Sequence, residues 1–432
     1  MGSLSDKFKA MGINLGVTKP AQPAPIPGQD AIENPAGGEN QPGSRLYPRS
    51  EKKVISIDQV VQGSYHATIY GDIFGVETVY PPDYSHGNSQ LAHSHSIQTI
   101  SQWAKASHLA DALLDGFIFL DTETSGLAGG TGTFAFLVGV GRYTPQGFRL
   151  MQFFMRTPGE EAALLAALSQ WMEPFEAIVT YNGKSFDAPL LNTRYVMQGL
   201  TSPLIGVPHF DLLHLSRRLW RDRLPSRTLK SVETDILGAS RTQEEVPGWM
   251  VPELYFEYLR SGDASPLSGV FYHNAIDILS LVALFGHTSR MLDDPLSFKD
   301  QPGLDLVALA KLYEDLGDLD KAVQLYEVGL DRDLPEEFFW KTVERFATLY
   351  KRQKEWPAAL ALWQKAAGHG ELYAFVELAK YFEHEQRDPA QAAGWTSRAL
   401  DQINQLHIPT TQRKQWRVEL ERRLQRLKSK SG

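Results

Sequence analysis

An apolar run, Phe117 to Leu120, ends in the acid-x-acid pair Asp121 and Glu123 within GFIFLDTETSGL. Such a run reads as a buried strand. Side chains alternate along a strand, so the two carboxylates share one side of it. Like charges in a buried position are costly unless something cationic holds them. Two more acids stand in short motifs further on: Asp187 closes IVTYNGKSFD, and Asp277 lies in FYHNAIDILSL. The simplest holder for such a set is a divalent ion that prefers hard oxygen ligands, Mg²⁺ or Mn²⁺.

The surroundings of these motifs define an architecture. Segment 1–51 is rich in Pro, Gly, Gln and Asn, and reads as disordered. Segment 52–114 is mixed, with strand-like VISIDQVV and ATIYGDIFGVETVY and helix-like IQTISQWAKASHLADALL, and is expected to be an accessory flank packed on the segment after it. Segment 115–293 alternates strands (FIFLD, TFAFLVGVGRY, GFRLMQFFM, AIVTYN, HFDLL) with helices, notably Glu160 to Trp171 and Asp187 to Met197. This predicts an α/β domain with a mixed sheet covered by helices. Segment 304–430 is helical and repetitive. Ala310, Tyr313, Ala322 and Tyr326 recur as Ala347, Tyr350, Ala359 and Trp363, and more loosely as Ala379, Phe382, Ala392 and Trp395. Small–aromatic spacing of this kind resembles tetratricopeptide repeats, in which helix pairs stack to share a core.

Composition narrows the chemistry. The 432 residues include no cysteine, which removes disulfides, zinc–thiolate sites and cysteine nucleophiles together. No apolar run approaches the roughly 20 residues of a membrane helix, and the start lacks the apolar core of a secretory signal. The expected location is the cytoplasm, with no membrane partner. A net charge of −8 argues against bulk coating of nucleic acid but leaves room for a local basic groove.

Two-metal phosphoryl transfer needs several carboxylates around ions about 3.5–4 Å apart. Here a strand would supply Asp121 and Glu123, a strand-to-helix junction Asp187, and a helix Asp277. Asn182, beside Asp187, can order the turn or touch substrate. A residue that activates water should stand near Asp277.

These motifs resemble the DnaQ-like (DEDD) 3′–5′ exonuclease superfamily on a ribonuclease H-like fold, in particular its YprB-like branch, whose members often carry a tetratricopeptide region. DTETSGL, NGKSFD and HNAID resemble that family's three motifs, in order, over about Asp115 to Met291. The resemblance implies metal binding by Asp121, Glu123, Asp187 and Asp277, two Mg²⁺ or Mn²⁺ ions, and a single-stranded DNA or RNA end as substrate. The third motif departs from the family's patterns, which place histidine five residues or tyrosine four residues before the acid. Here Tyr272 is five before Asp277 and His273 four before. Four-residue spacing shares a helix face more closely, which favours His273 near the attacking water and keeps Tyr272 in reserve.

The densest basic run of the catalytic part is Arg217, Arg218, Arg221, Arg223, Arg227 and Lys230. Arg218, Arg221, Arg227 and Lys230 are candidate phosphate contacts; the alternative is a solvated helix face paired with Asp222 and Glu233. Trp220 and Phe186 could stack on bases but suit core packing better. Gly129 and Gly130 suit a turn after the first motif. His86, His93 and His95 have no matching fourth ligand for a metal. The expected function is a metal-dependent nuclease whose C-terminal repeats recruit a protein partner or brace the substrate. The competing readings are a non-catalytic nucleic-acid-binding adaptor and a structure-selective endonuclease.

Overall fold

The computed structural model describes residues 54–92, 95–126, 132–242, 245–297, 301–405 and 409–431. Segment 1–51, Gly129, Gly130 and His93 lie outside them. From Lys53 onward the chain forms one compact unit.

Its centre is a seven-stranded mixed sheet. The strands are β1 (Ser64–Thr68), β2 (Gly71–Tyr80), β5 (Phe117–Thr124), β6 (Ala135–Thr144), β7 (Gly147–Phe154), β8 (Ala177–Thr180) and β9 (His209–Asp211), in the order β1-β2-β7-β6-β5-β8-β9. Pairing is antiparallel from β1 to β5 and parallel from β5 through β8 to β9. A small hairpin, β3 (Ser85–His86) with β4 (Ser89–Gln90), stands apart from it. Segment 52–114 therefore supplies two strands of the sheet itself. The register Phe74↔Phe154 to Tyr80↔Phe148 ties β2 to β7 along nearly their full length.

Two expectations for this segment fail for local reasons. VISIDQVV is no strand: Ile57–Gln59 is a single 3₁₀ turn, closed where Gln59 Oε1 accepts from the Ser56 N–H, and Ile57 is its one buried side chain. The helix expected from Ile97 to Leu114 is only α1 (Gln98–Trp103), because Lys105 takes a left-handed φ of 60° and ends it.

Alternation along β5 divides the core. Phe117 and Phe119 face one side, with Phe210 of β9 and Phe285 of α7 (Ser268–Asp293). Ile118 and Leu120 face the other, with Leu164 and Leu168 of α2 (Glu161–Met172) and Tyr255 of α6 (Val251–Ser261). Helix α7 lies close against the sheet because β6 carries glycines there. A Cβ on Gly139 would stand 2.3 Å from Asn274 Oδ1, and one on Gly141 2.2 Å from Phe148 Cζ and 3.2 Å from Ile278. Ser265–Asp293 is also, among the described residues, the one helical stretch long and apolar enough to cross a membrane. Two thirds of its apolar 18-residue window is buried in the fold, as in a core helix.

A short α5 (Leu229–Asp235) carries Glu233, and the helices after α7 are α8 (Gly303–Leu316), α9 (Leu319–Leu330), α10 (Glu336–Gln353), α11 (Trp356–His369), α12 (Leu372–His384), α13 (Pro389–Gln405) and α14 (Thr410–Ser431). Consecutive helices pack in pairs, and the recurring Ala310, Ala322, Ala347, Ala359, Ala379 and Ala392 are all fully buried between them. No core boundary falls between the sheet and α8. Leu306, Tyr313 and Tyr326 belong to the same apolar cluster as Phe117 and Phe285. Burying a side chain of that size contributes about 1.5–3 kcal/mol. A third cluster, around Val343, Trp363, Phe375 and Ile403, holds α10 to α14.

Candidate active site

The site lies where the end of β5 meets α7 and the start of α3 (Asp187–Met197). Asp121 and Glu123 share the β5 face of Phe119 and so point at α7. There Asn274, fully buried above Gly139, donates its Nδ2–H to Asp121 Oδ2 (3.0 Å) and accepts from Gln152 Nε2 on its Oδ1 (2.9 Å). That relay fixes which edge of the amide meets Asp121. One helical turn on, Asp277 reaches the same space, and His273 stands beside it. His273 Nε2 is 3.6 Å from Asp277 Oδ2 and 4.0 Å from Glu123 Oε1.

Asp187 arrives from the other direction. The loop before it turns at Asn182, whose φ is 69°, a conformation asparagine tolerates better than most residues. Asp211, with no exposed surface, holds this loop. It accepts from the backbone N–H groups of Asn182 (2.8 Å) and Lys184 (3.1 Å), and also caps α4 (Leu212–Trp220) through Leu213 N–H (3.1 Å). Gly183 is required because a Cβ there would lie 2.4 Å from Thr180 Oγ1. The result brings Asp187 against β5, where Thr122 Oγ1 donates to its Oδ1 at 2.5 Å.

Four carboxylates from three distant stretches thus share one enclosure, and their titration reflects it. Burial raises Asp121 well above the usual range, and Asp277, Asp187 and Glu123 add to the rise. Glu123 is raised by burial and by Asp277 and Asp187, with Arg241 opposing. Asp187 is pushed up to about 6 by burial, against the Thr122 hydroxyl. Asp277 is raised by burial, with His273 and Arg241 opposing.

Arg241 has no counterpart in the sequence expectations. Its side chain is 5% exposed. It donates to Glu233 Oε2 (2.9 and 2.7 Å), Asp277 Oδ1 (2.5 Å) and Glu245 Oε1 (3.2 Å), and its Nη1 lies 3.4 Å from His273 Nδ1. The sequence suggests Glu233 as a partner of the basic run, whereas Glu233 is spent on Arg241 and His86 (3.7 Å).

The other expected residues are dispersed. The Tyr272 hydroxyl accepts from Thr242 N–H (3.0 Å), next to Arg241. Arg218 reaches α8, bonding Lys311 O (2.6 Å) and pairing with Asp315. Arg223 pairs with Asp305 of α8 (2.8 Å), Arg221 with Asp222 (3.3 Å), and Lys230 with Glu245 (2.9 Å). Arg227 Nη1 donates to the Leu224 and Pro225 carbonyls. Trp220 is fully buried in the core. Phe186, next to Asp187, is 54% exposed, and Trp249 is 70% exposed beside Gly248, whose Cβ position lies 3.5 Å from His273 Nε2. His86 bonds Ser280 Oγ (2.9 Å), and His95 faces Asp293.

A divalent cation fits this donor set by its chemistry: hard carboxylate oxygens, mutually repelling, largely shielded from solvent. Among the described residues no three such groups already converge as ion ligands. Asp187, Asp121 and Asp277 are each turned instead onto a protein donor: Thr122, Asn274 and Arg241.

Comparison with known proteins places these features in a lineage. A family model of the ribonuclease H superfamily matches residues 118–289, from β5 through α7. Among solved structures, the family B DNA polymerase from the hyperthermophilic archaeon Pyrobaculum calidifontis overlays with a TM-score of 0.32 and 19% identity, over 49% of this chain and 28% of the polymerase. The uncharacterized protein YprB of Bacillus subtilis (strain 168) is 32% identical over 327 residues, covering 73% of this chain and 77% of YprB. The chain belongs to the YprB family, with a sheet domain of the ribonuclease H superfamily.

Proposed function

We propose that this chain is a divalent-cation-dependent nuclease that hydrolyses phosphodiester bonds of DNA or RNA, as a DEDD-type exonuclease working from a 3′ end. The observation that carries the reading is the gathering of Asp121, Glu123, Asp187 and Asp277 from three motifs, at the junction of β5, α3 and α7.

In this reading Asp121, Glu123, Asp187 and Asp277 would hold two Mg²⁺ or Mn²⁺ ions. When bound, such an ion polarises a phosphoryl oxygen and acidifies a water. The protein's own part is positioning and proton traffic. Asn274 and Thr122 aim two of the carboxylates. His273 takes the proton of the attacking water on Nε2, which faces Asp277 and Glu123; histidine can do this near neutral pH. Tyr272 is the second candidate. Phe186 and Trp249, both exposed and adjacent in the chain to Asp187 and Gly248, suit the faces of unpaired bases. Asn182, Arg218, Arg221, Arg227 and Lys230 remain proposed contacts to the strand. Of the cations among them, Arg221 and Lys230 have the more exposed side chains, at 72% and 65%. The paired helices from α8 onward would act as a tetratricopeptide-like surface for a protein partner, in the cytoplasm.

The test is degradation of 5′-labelled single-stranded DNA and RNA in Mg²⁺ or Mn²⁺ by the wild-type protein and by Asp121→Ala. Cleavage lost in the variant supports the reading; equal cleavage by both sinks it. Cutting of a circular single strand would replace the exonuclease with an endonuclease. Binding without cleavage in either ion would leave the adaptor.

A further inference from the structure

Asp277 is the third-motif acid, and its Oδ1 is already engaged by a cation that belongs to the protein. Arg241 meets it at 2.5 Å and meets Glu233 through two nitrogens at 2.9 and 2.7 Å. Glu233 is 1% exposed, and its other oxygen faces the His86 ring at 3.7 Å, too far for a hydrogen bond. Withdrawal of Arg241 would therefore strip a buried carboxylate of its guanidinium partner, an arrangement proteins tolerate poorly. Glu245 and His273 Nδ1 close the remaining sides of the guanidinium. It is fixed by a planar, many-donor fit that a lysine could not copy.

The other three acids differ. Asp121, Glu123 and Asp187 form no ion pair with lysine or arginine among the described residues; their closest polar partners are Asn274, His273 and Thr122. The enclosure is thus divided into one carboxylate paired directly with a resident cation and three that are not, Glu123 feeling Arg241 only at longer range.

We propose that Arg241 is a built-in cation standing where a second divalent ion would share Asp277, so that this site takes one divalent ion, at Asp121, Glu123 and Asp187. The inference rests on the nuclease reading above and revises its count of ions. A dication beside the guanidinium would face direct repulsion inside an enclosed space, and evicting the guanidinium would leave buried Glu233 facing His86 without its permanent cation. A carboxylate pair without Arg241, by contrast, is again open to a metal.

The experiment counts Mn²⁺ bound to the full-length chain, by calorimetric titration and by the electron paramagnetic resonance signal of free Mn²⁺. The wild-type protein is expected to bind one ion and Arg241→Gln two. The double variant Arg241→Gln/Glu233→Gln, which removes the stranded charge along with its partner, is also expected to bind two; it keeps the test decisive if the single variant does not fold. Two ions on the wild-type protein would overturn the role of Arg241 and leave the nuclease reading standing. One ion on both Arg241 variants would reduce Arg241 to a structural tie. No ion on the wild-type protein would remove the nuclease reading and this inference with it.

Discussion

Two ion clusters in this molecule are mirror images in charge. At the candidate active site one cation, Arg241, serves three acids: Glu233, Glu245 and Asp277. At the far end one acid, Glu383 of α12, serves three cations of α14: Arg423, Arg426 and Lys430, with Arg426 Nη2 donating to both carboxylate oxygens at 2.8 and 2.9 Å. The difference lies in where the excess charge goes. Arg426 and Lys430 are 52% and 54% exposed, so water carries what Glu383 cannot neutralise. The surplus carboxylates at the active site have no such outlet, and their protonation is displaced upward as a result. Surplus charge at a surface is a solvation matter. Surplus charge in an enclosure is a demand for an ion.

The largest test of that contrast is activity. Asp121→Ala should lower metal-dependent cleavage on the order of 10⁴-fold, because the interaction lost is several kcal/mol of charge stabilisation. Glu383→Ala should leave the cleavage rate within about twofold, since it touches only the α12–α14 clasp. Comparable losses in both, measured by single-turnover cleavage, would erase the distinction.

Next comes the question of whether the two regions fold together. Tyr326 of α9 has no exposed surface and shares an apolar cluster with Phe117 of the sheet. Tyr326→Ala should cost about 3–4 kcal/mol. Because the cluster is continuous, both regions should melt in one calorimetric transition. Two separated transitions would show that the Arg218–Asp315 and Arg223–Asp305 contacts are a loose joint.

Much of this is legible in the sequence, and the failures have a common cause. The acid motifs, the strands from Phe117 to Phe154 and the helix Asp187–Met197 follow from local pattern, because period and spacing are local properties. The pairing of β2 with β7 is not local, and neither is the partner of Glu233. Arg241 sits in a stretch with no periodic signal, so nothing in its neighbourhood marks it as a counter-ion to an acid 36 residues on. One signal was available. The glycines of FLVGVGRY in a buried strand mark close approach of another element, and Gly139 does admit Asn274 to Asp121. The basic run shows the same limit. Six cations lie within 14 residues, and the pairing of two of them, Arg218 and Arg223, with acids of α8 is not a local property.

A third test uses pH, where the two clusters should lean in opposite directions. The folded carboxyl of Asp187 titrates near 6, above its ordinary 3.8. The native state therefore holds a proton that the unfolded chain has released, and stability falls as pH rises through about 4 to 6. Without divalent ion the wild-type protein should be less stable at pH 7 than at pH 5. Asp187→Asn should recover about 2 kcal/mol at pH 7, and saturating Mn²⁺ should do the same for the wild-type protein by binding only the folded state. Glu383 is shifted the other way: burial is outweighed by Arg426 and Lys430, and its pKa is lowered. Its stabilisation is complete above about 4.5 and is lost as pH falls through the lowered value. A urea-midpoint profile that is flat between pH 5 and 7 without metal would mean the active-site carboxylates do not repel as their placement implies.

The smallest effect is the most selective. Glu383→Gln keeps the size of the side chain and one oxygen acceptor but removes the charge. Two of its three cationic partners are half in water, where an ion pair is worth about 0–1 kcal/mol. The loss should therefore stay below about 1 kcal/mol and shrink further in high salt, where exposed charges are screened. It should also be confined. Only Leu420 and Leu427 of α14 are buried among its described side chains, so that helix has little apolar hold beyond the clasp. Hydrogen exchange should accelerate over 410–431 and remain unchanged at β5 and α7. Faster exchange at β5, or a fall in cleavage, would mean that charge at the end of the helical array is felt at the carboxylates. The surface cluster would then be part of the site's electrostatics, and solvation would not be the reason the two clusters differ.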